Sequence, residues 1–389
     1  MGLLAFGLRC AQAEANPAAT GSVAEVHQFG AVGDGIHDDS VAIQKAVNSG
    51  RPVYLPSYYN GLAQRYRIAR PINCTNRRGP TLFYGDQAGE FDRHGPHGSS
   101  VILQTGAQPA FDIAGSQDVE FRDISLIAED PGASEIAVFE ARSRDVPFAQ
   151  NHRFFDLNIY MYSKPRANHG RGRIGIYDYG AELWSAAQLH IEADIPLYFT
   201  NENEAGVTSE TALAQAPQSM SGVTIAGESS LIAYGGPAIY LGGSDIGMLD
   251  FGQTFIAENS AYKGTHSAFA IVAAGAVRGL RYYGNVENLH QLLSLSSGAN
   301  GLDLSGTIAP EPEAPVIELD GSGKCPSISD SFIRLRPAVI GTRGVLIGSS
   351  FKRSCVLAGN LINQPAGMSL GVEASSAGGN LVYGAGAVQ

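Results

Sequence analysis

The stretch VHQFGAVGDGIHDDSVAIQKAVNSGRPVYLP, from Val26 to Pro56, decides the fold because its hydrophobic period changes twice. Asp39 or Ser40 can cap a helix that Gly50 ends. Within this helix the apolar side chains recur at Val41, Ala42, Ala46 and Val47. A strand-like run, Val53-Tyr54-Leu55-Pro56, follows. The stretch therefore predicts one short amphipathic helix between extended segments.

The remainder of the chain has the pattern of β-structure. Helical periodicity is scarce beyond residue 50, whereas short runs of Val, Ile, Leu, Phe and Tyr are broken throughout by Gly, Asn, Asp or Ser. The 48 glycines suit a fold with many tight turns, and 44% hydrophobic residues argue against disorder. A single amphipathic helix must bury one face, and the open end of a stack of β-turns offers that place. We therefore predict an all-β solenoid with an N-terminal capping α-helix.

The same N-terminal segment carries a family resemblance. FGAVGDGIHDDSVAIQKAV, PVYLP and YRIARPI together resemble the N-terminal signature of the pectate-lyase-like right-handed parallel β-helix superfamily, over residues 26–73. That superfamily includes rhamnogalacturonase-like and polygalacturonase-like enzymes, sugar epimerases and phage tailspike depolymerases. The resemblance implies a right-handed parallel β-helix in which Asp34, Asp38 and Asp39 are turn and capping residues. A calcium or substrate role for these aspartates is the alternative.

A weak internal repeat supports the solenoid. Each unit is a turn residue followed by an apolar, a polar and an apolar residue. The second and fourth side chains are expected to fill the interior, and the third to form an outer column. The units begin at Asp123, Asp156, Gln188, Gly222, Gly279 and Gly301, with a less regular one at Gly252. The early units are longer, so we expect loops at 128–152, 161–184 and 199–221, and a cleft over the turns from Asp123 to Gly222.

Composition limits the domain organisation, the partners and the location. Residues 23–389 are predicted to form a single β-helix domain. Residues 1–22, with an apolar core and an Ala11-Gln12-Ala13 site, are either a degenerate export signal, which predicts a secreted or periplasmic protein, or a disordered N-terminus. A net charge of −11 makes a nucleic acid partner unexpected. The chain has no apolar run of about 18 residues that would predict a membrane span.

The strand from Leu189 to Ile195 offers the best candidate for a catalytic pair, because His190, Glu192 and Asp194 share its predicted outer face. Residues two apart in a strand are separated by roughly 6.5–7 Å. Inverting glycosidases hold their carboxyl pair about 6.5–9.5 Å apart to admit a water. Glu192 and Asp194 are therefore predicted to be the general acid and base, with His190 binding substrate. The alternative is a solvated strand face without a catalytic role.

Substrate-binding groups are predicted beside this strand. In the preceding turn, Asn158, Tyr160 and Tyr162 share one face, where tyrosine rings can stack on sugars. The basic, glycine-rich loop KPRANHGRGR contains His169 and Arg171 and suits an anionic sugar, because guanidinium pairs with carboxylate bidentately. The alternatives are tyrosines that only cover apolar surface and a loop that is only solvated.

The motifs of known carbohydrate-active families give no residue to carry over. The Asn-Thr-Asp, Gly-His-Gly and Arg-Ile-Lys motifs of polygalacturonases are absent, and the Asp-Asp present is the capping pair Asp38-Asp39. The Asp-Pro-His-Glu motif of alginate epimerases is absent as well. The site assignments above therefore depend on spacing and residue chemistry alone.

Together these features predict a glycoside hydrolase of the inverting type that degrades a polysaccharide, acidic if the basic loop binds it, in a lateral groove. Two alternatives stay open: a lyase that cleaves a uronic-acid polymer by β-elimination, and a non-catalytic, tailspike-like trimeric fibre that binds glycans. The expected partner is a polysaccharide, and the chain is expected to be a monomer or a homotrimer. No cofactor or metal is expected. Calcium at Asn201-Glu202-Asn203-Glu204 is the alternative.

Overall fold

The structure is a computed structural model. It describes residues 22–89, 91–92, 95–96, 98–106, 109–128, 133–141, 151–161, 173–180, 182–201, 220–243, 246–258, 269–309, 314–320, 326–338, 344–349, 357–370 and 379–383. Strands dominate these residues, as predicted, and nearly all of them pair in parallel from one turn to the next. No helix among the described residues has the length and apolar content that a membrane crossing requires.

Most strands belong to one large sheet, sheet 1, which covers two sides of the molecule. Its pairing is parallel, as between Arg153–Met161 and Glu182–Ala193. The strands of sheet 1 are Ala24–Glu25, Asp34–Asp38, Val53–Leu55, Arg65–Ile68, Arg78–Gly85, Ser100–Leu103, Gln117–Ala128, Arg153–Met161, Glu182–Ala193, Met220–Ala226, Ser229–Ala233, Ile246–Gly252, Thr254–Glu258, Val277–Glu287, Ala299–Asn300, Asp303–Ile308, Ile328–Ser329, Phe332–Pro337, Leu357–Ala358, Leu361–Asn363 and Leu381–Tyr383.

A second parallel sheet, sheet 2, forms the remaining side. Its strands are Ile72–Asn73, Pro109–Asp112, Ile136–Ala141, Ile174–Tyr179, Ile195–Thr200, Ile239–Leu241, Phe269–Ala273, Gln291–Leu295, Pro315–Leu319, Gly344–Ser349 and Met368–Leu370. Two antiparallel hairpins lie outside both sheets, formed by Tyr58–Tyr59 with Leu62–Ala63 and by Phe91–Asp92 with Gly95–Pro96. Each full turn crosses sheet 1, bends within it and then crosses sheet 2. The fold is therefore the predicted right-handed parallel β-helix.

The bends of sheet 1 are made by residues with positive φ, which come in pairs five positions apart along the chain. These pairs are Asp118 and Asp123, Asn151 and Asp156, Leu183 and Gln188, Gly222 and Gly227, and Met248 and Gln253. Glycine, asparagine and aspartate tolerate this left-handed conformation better than other residues. The two bends divide the part of each turn that lies in sheet 1 into a short first face and a second face. His190 and Glu192, which follow the bend at Gln188, lie on the second face.

The helix Ser40–Asn48 packs over the first turns of the solenoid, as predicted for a cap. Its buried apolar side chains are Ala42, Ile43, Ala46 and Val47. The prediction was wrong at one position, because Val41 is 46% exposed and Ile43 is buried instead. A helix that begins at Ser40 presents positions 39, 42, 43, 46 and 47 on one side, so Val41 faces solvent.

The three aspartates of the opening stretch accept backbone N–H groups, which agrees with their predicted role in turns and capping. The carboxylate of Asp38 holds the start of the helix to the next turn. The donors are Ile36 and His37 for Asp34, Ser40 and Ala69 for Asp38, and Val32 and Gly33 for Asp39.

The repeat pattern was right about which side chains point inward in most units. Leu189 and Ile191, for example, are fully buried. The irregular unit at Gly252 was wrong: Gln253 is the turn residue, so Phe255 points outward rather than inward. The expected long loops were also partly wrong, because Ile136–Ala141 and Ile174–Tyr179, which lie within them, are buried strands of sheet 2.

Candidate functional site

The strand Glu182–Ala193 presents the predicted catalytic face. Leu189, Ile191 and Ala193 are fully buried, whereas the side chains of His190 and Glu192 are 26% and 17% exposed. The alternation follows from the two-residue period of a strand whose other face fills the solenoid interior. His190 and Glu192 therefore lie together on the outside of sheet 1, half shielded from water.

A hydrogen-bonded network joins these two residues to the next turn. The strand Ser229–Ala233 pairs with Glu182–Ala193 in the register that places Ser230 beside His190. His190 Nδ1 contacts Ser230 Oγ, and His190 Nε2 lies 3.1 Å from Glu192 Oε1. The phenol of Tyr234 donates to Glu192 Oε2. Both oxygens of Glu192 therefore have a partner on the protein.

The partners of Glu192 decide its ionisation. Burial alone raises the pKa of this carboxyl, but the hydrogen bonds from His190 and Tyr234 outweigh burial and lower it. Glu192 is consequently a carboxylate at neutral pH. In this state it accepts protons or hydrogen bonds and does not donate them.

Asp194 follows the strand at the corner between sheets 1 and 2. Its Oδ2 accepts the backbone N–H of Arg173 at 2.6 Å. Like Glu192, it is partly exposed on the outside of the solenoid. The structure therefore brings the predicted pair to the same side, with Asp194 tied to the backbone of the previous turn.

Two predicted binding residues lie next to the network, and they differ in exposure: Tyr160 is buried and Asn158 is partly exposed. Tyr160 pairs in register with Glu192 and its ring lies 5.3 Å from that of His190, yet only 4% of the residue is exposed. Asn158 is beside His190, and its amide donates to the carbonyl of Gly89 at 2.9 Å. We expected exposed groups at both positions. The ring of Tyr160 is buried instead, whereas Asn158 is partly exposed and its role in binding stays a prediction.

Three predicted binding residues, Tyr162, His169 and Arg171, lie outside the described residues. The same is true of 202–204 within the alternative calcium run, in which Asn201 is described and buried. Within the part of the chain that the structure describes, no group of three or more His, Cys, Asp or Glu side chains is arranged to hold a metal ion.

An open groove of about 780 Å³ begins at the network and runs along sheet 1. One row of its side chains is in register from turn to turn and continues the row of His190. The members of this row are Ser230, Phe255, Asn285, Thr307 and Arg336. Four strand spacings separate the first from the last, which is about 19 Å. The groove lies over later turns than the predicted cleft from Asp123 to Gly222.

The other wall of the groove carries charged and aromatic side chains. Tyr283 is 50% exposed. Arg281 contacts Asp250 at 3.0 Å, and Arg334 contacts Asp303 at 3.1 Å. Such exposed ion pairs contribute little to stability, so their side chains are available to exchange partners with a ligand.

Two glycines line the groove where the backbones of neighbouring turns approach each other closely. A Cβ on Gly284 would lie 1.9 Å from the carbonyl oxygen of Thr254, and one on Gly306 would lie 1.8 Å from that of Gly284. Backbone from neighbouring turns therefore approaches so closely that no side chain fits at either position. At these two positions the groove is lined by backbone and not by side chains.

Ser230 and Tyr234 were not predicted, because the repeat alignment placed Gly222 in the column of Gln188. In the structure Val223 pairs with Trp184, and it is the carbonyl of Gly227 that accepts the N–H of Gln188. The sequence contained a signal for the correct alignment. Gly222 and Gly227 repeat the five-residue spacing of Asp118 and Asp123, and this spacing places Ser230 beside His190.

No protein-family model matches the chain, and no curated protein matches it by sequence. Among solved structures, it is similar to ORF18 of Geobacillus virus E2, with 14% identity, a TM-score of 0.50, and coverage of 85% of this chain and 62% of that one. It also resembles DFA-IIIase from Arthrobacter chlorophenolicus A6, with 12% identity, a TM-score of 0.49 and coverage of 91% and 87%. The enzymatically active domain of tailspike protein 2 from bacteriophage CBA120 follows, with 11% identity, a TM-score of 0.48 and coverage of 88% and 47%. At such identities the similarity concerns the fold.

Proposed function

We propose that the protein binds a polysaccharide along the groove and cleaves it by hydrolysis, with Glu192 as the base that activates the attacking water. The observation that supports this most is the position of Glu192, a half-buried carboxylate linked through His190 to Ser230 at the end of the groove. A carboxylate that its donors keep ionised can accept a proton from a bound water.

The shape and lining of the groove support an extended, hydroxyl-rich ligand. The groove is open along its side, spans several turns, and presents Asn285, Thr307 and Arg336 as hydrogen-bonding groups. The exposed ring of Tyr283 offers an amphipathic surface on which a sugar ring can lie. A small apolar ligand would instead need an enclosed apolar pocket.

Asp194 is the proposed general acid. It lies two residues beyond Glu192, at the bend where the chain leaves sheet 1, and inverting hydrolysis requires that the two carboxyl groups be about 6.5–9.5 Å apart. Its carboxylate accepts the backbone N–H of Arg173. In the proposed reaction Asp194 donates a proton to the leaving sugar oxygen.

One observation favours a second candidate reaction, β-elimination of a uronic-acid polymer. Three arginines, Arg281, Arg334 and Arg336, line the groove, and guanidinium groups pair bidentately with carboxylates. In this reaction the base removes the proton next to a uronate carboxylate, and the arginines stabilise the resulting charge.

The test is a panel of neutral and acidic polysaccharides, incubated with the wild-type protein and with Glu192→Gln. We expect new reducing ends without ultraviolet absorbance from the wild type, and at least about a 100-fold loss of rate in the variant, because the base is removed. Glu287→Gln is the matched control, since Glu287 lies in the same outer column of sheet 1 but is exposed and outside the groove.

Other outcomes of the panel distinguish the candidates. Absorbance of an unsaturated uronate would replace hydrolysis by β-elimination. Tight binding without any product, combined with a trimer in light scattering, would favour the non-catalytic fibre. Equal rates for the wild type and Glu192→Gln would rule out Glu192 as the base.

A further inference from the structure

We propose that the site also cleaves an ester, with Ser230 as the nucleophile, His190 as its general base and Glu192 as the group that orients His190. The substrate class is a short O-acyl group, such as acetyl, carried by a sugar of the bound chain. Its place on a sugar rests on the proposed function. The ester cleavage itself rests only on the arrangement of these three side chains.

The arrangement connects a nucleophile, a base and an acid in one line. Ser230 and His190 are neighbours on adjacent parallel strands, and Glu192 is two positions beyond His190 on the same outer face. The hydroxyl of Ser230 contacts His190 Nδ1, and His190 Nε2 is 3.1 Å from Glu192 Oε1. A nucleophile bonded to a base, which a third group orients, is the arrangement that activates a serine hydroxyl.

The hydrogen bonds also determine the tautomer of His190. Glu192 is ionised and can only accept, so Nε2 carries the imidazole proton and donates it to Oε1. In the neutral imidazole, Nδ1 is then the nitrogen without a proton, and it accepts the proton of the Ser230 hydroxyl. This is the tautomer that a general base requires. Tyr234 donates to the other oxygen of Glu192 and fixes the carboxylate in place.

The adjacent Ser229 makes different contacts, so the contact of Ser230 with His190 is specific to Ser230. Ser229 is buried, accepts the N–H of Leu189 at 3.1 Å and donates to the carbonyl of Ala226 at 3.2 Å. Ser229 therefore stabilises the turn. Ser230 is partly exposed, lines the groove, and directs its hydroxyl to His190.

The chemistry of an activated serine selects an ester rather than a glycosidic bond. An alkoxide adds readily to a carbonyl carbon, whereas glycosidic bonds are cleaved with carboxyl groups. Phe255 is the in-register neighbour of Ser230 in the next turn and lines the groove. Its ring offers the acyl group an apolar contact on the outer face of the sheet.

The reaction needs only the ester and water. Ser230 Oγ bonds to the acyl carbon as its proton moves to His190 Nδ1, and the sugar oxygen leaves with that proton. Water then adds to the acyl-serine, His190 takes the proton of the water and returns it to Ser230 Oγ, and the carboxylic acid departs. Both reactions of the site need Glu192 in its ionised form, so one protonation state serves both.

Covalent labelling of the wild-type protein tests the nucleophile without any variant. We expect a fluorophosphonate probe to add once per chain, at Ser230, as located by mass spectrometry of peptides. We also expect turnover of p-nitrophenyl acetate with an initial burst. No adduct, or an adduct at another residue, would overturn the proposal.

Variants extend the test. Ser230→Ala should abolish labelling and lower the rate on p-nitrophenyl acetate by about 10³-fold or more, and His190→Gln should lower it by about 10²–10⁴-fold. Ser185→Ala is the matched control, because Ser185 is partly exposed on the outside of the strand that carries His190 and lies away from the groove. Ester turnover retained in Ser230→Ala would overturn the proposal.

Failure of this inference is separable from failure of the proposed function. On an acetylated polysaccharide, acetate release measures the ester reaction and new reducing ends measure chain cleavage. Acetate without reducing ends would support the ester inference and contradict the hydrolase. Reducing ends without acetate, and without labelling of Ser230, would support the hydrolase and contradict the ester inference.

Discussion

A cluster of three titratable side chains lies inside the β-helix: Glu140, His152 and Asp178, none of which is exposed. Glu140 and Asp178 are in-register neighbours on adjacent strands of sheet 2. His152 Nε2 lies 3.2 Å from Glu140 Oε1, and its Nδ1 accepts the N–H of Val119. Trp184 donates to Asp178 at 2.8 Å. This cluster is remote from solvent, so its protonation affects stability directly.

Burial has opposite effects on the two members of the contact. Burial, and the charge of Asp178, raise the pKa of Glu140 well above its usual value, and burial lowers the pKa of His152 to about 4. The stabilisation from protonated Glu140 is lost as pH rises above about 4.3, the value in the unfolded chain. The stabilisation from neutral His152 is lost as pH falls below about 6.5.

Glu140→Gln removes one of these opposing effects. Relative to the wild type, the variant should gain stability as the pH rises from about 5 to 8, by up to about 1.4 kcal/mol per unit, because only the wild type must retain a proton to stay folded. Urea unfolding at several pH values measures this difference. A difference that does not change with pH would contradict the assignment, and the exposed Glu287→Gln should show none.

For single residues, the sequence predicted whether a side chain points inward or outward better than it predicted how far that side chain is exposed to solvent. The period of two was enough to place His190 and Glu192 outside and Leu189 inside. It was not enough to predict that Tyr160 is covered, because covering depends on other segments. The contact of Asn158 with Gly89, 69 positions earlier in the chain, is an example.

Aromatic side chains stack through the interior and connect successive strands of sheet 1. Phe83, Phe121 and Phe154 are in register, with ring centroids 5.0 and 5.9 Å apart, and all three are fully buried. Phe154 also meets the ring of Trp184 at 5.2 Å. The packing of each turn therefore depends on the one before it.

Phe121→Ala should destabilise the protein by about 3–5 kcal/mol, through lost burial and the cavity that remains between two neighbouring rings. The control is Phe155→Ala, on the outside of the next strand, where the half-exposed ring contacts the guanidinium of Arg122. Such a contact contributes about 0.5–1 kcal/mol. An equal loss of unfolding free energy in the two variants, measured by urea unfolding, would contradict the inward stacking of Phe121 between Phe83 and Phe154.

The left-handed turn residues explain why the sequence predicted the inward positions of the strands but not the alignment of one turn with the next. The helix cap and the inward positions followed from hydrophobic period alone. The column assignment did not, because each turn has two left-handed residues and either can be mistaken for the start of a unit. Leu183 and Met248 occupy such positions without the usual turn chemistry, so the five-residue spacing is hidden in those turns.

The β-helix brings residues that are distant in sequence into continuous rows on its outer surface. His190, Ser230, Asn285 and Arg336 are spread over almost 150 positions of sequence and lie in one outer row. This placement comes from the solenoid and not from any local motif, which is why no known catalytic motif marks the site. The predicted alternatives of monomer and homotrimer stay a prediction, and sedimentation of the full chain distinguishes them.

The most direct test of the central claim is a crystal structure of Glu192→Gln with a fragment of the polysaccharide that the wild type cleaves. We predict that the sugar chain follows the row from Ser230 to Arg336, with a bond to be cleaved beside position 192. A chain bound on sheet 2, or one that leaves the groove empty, would contradict the account.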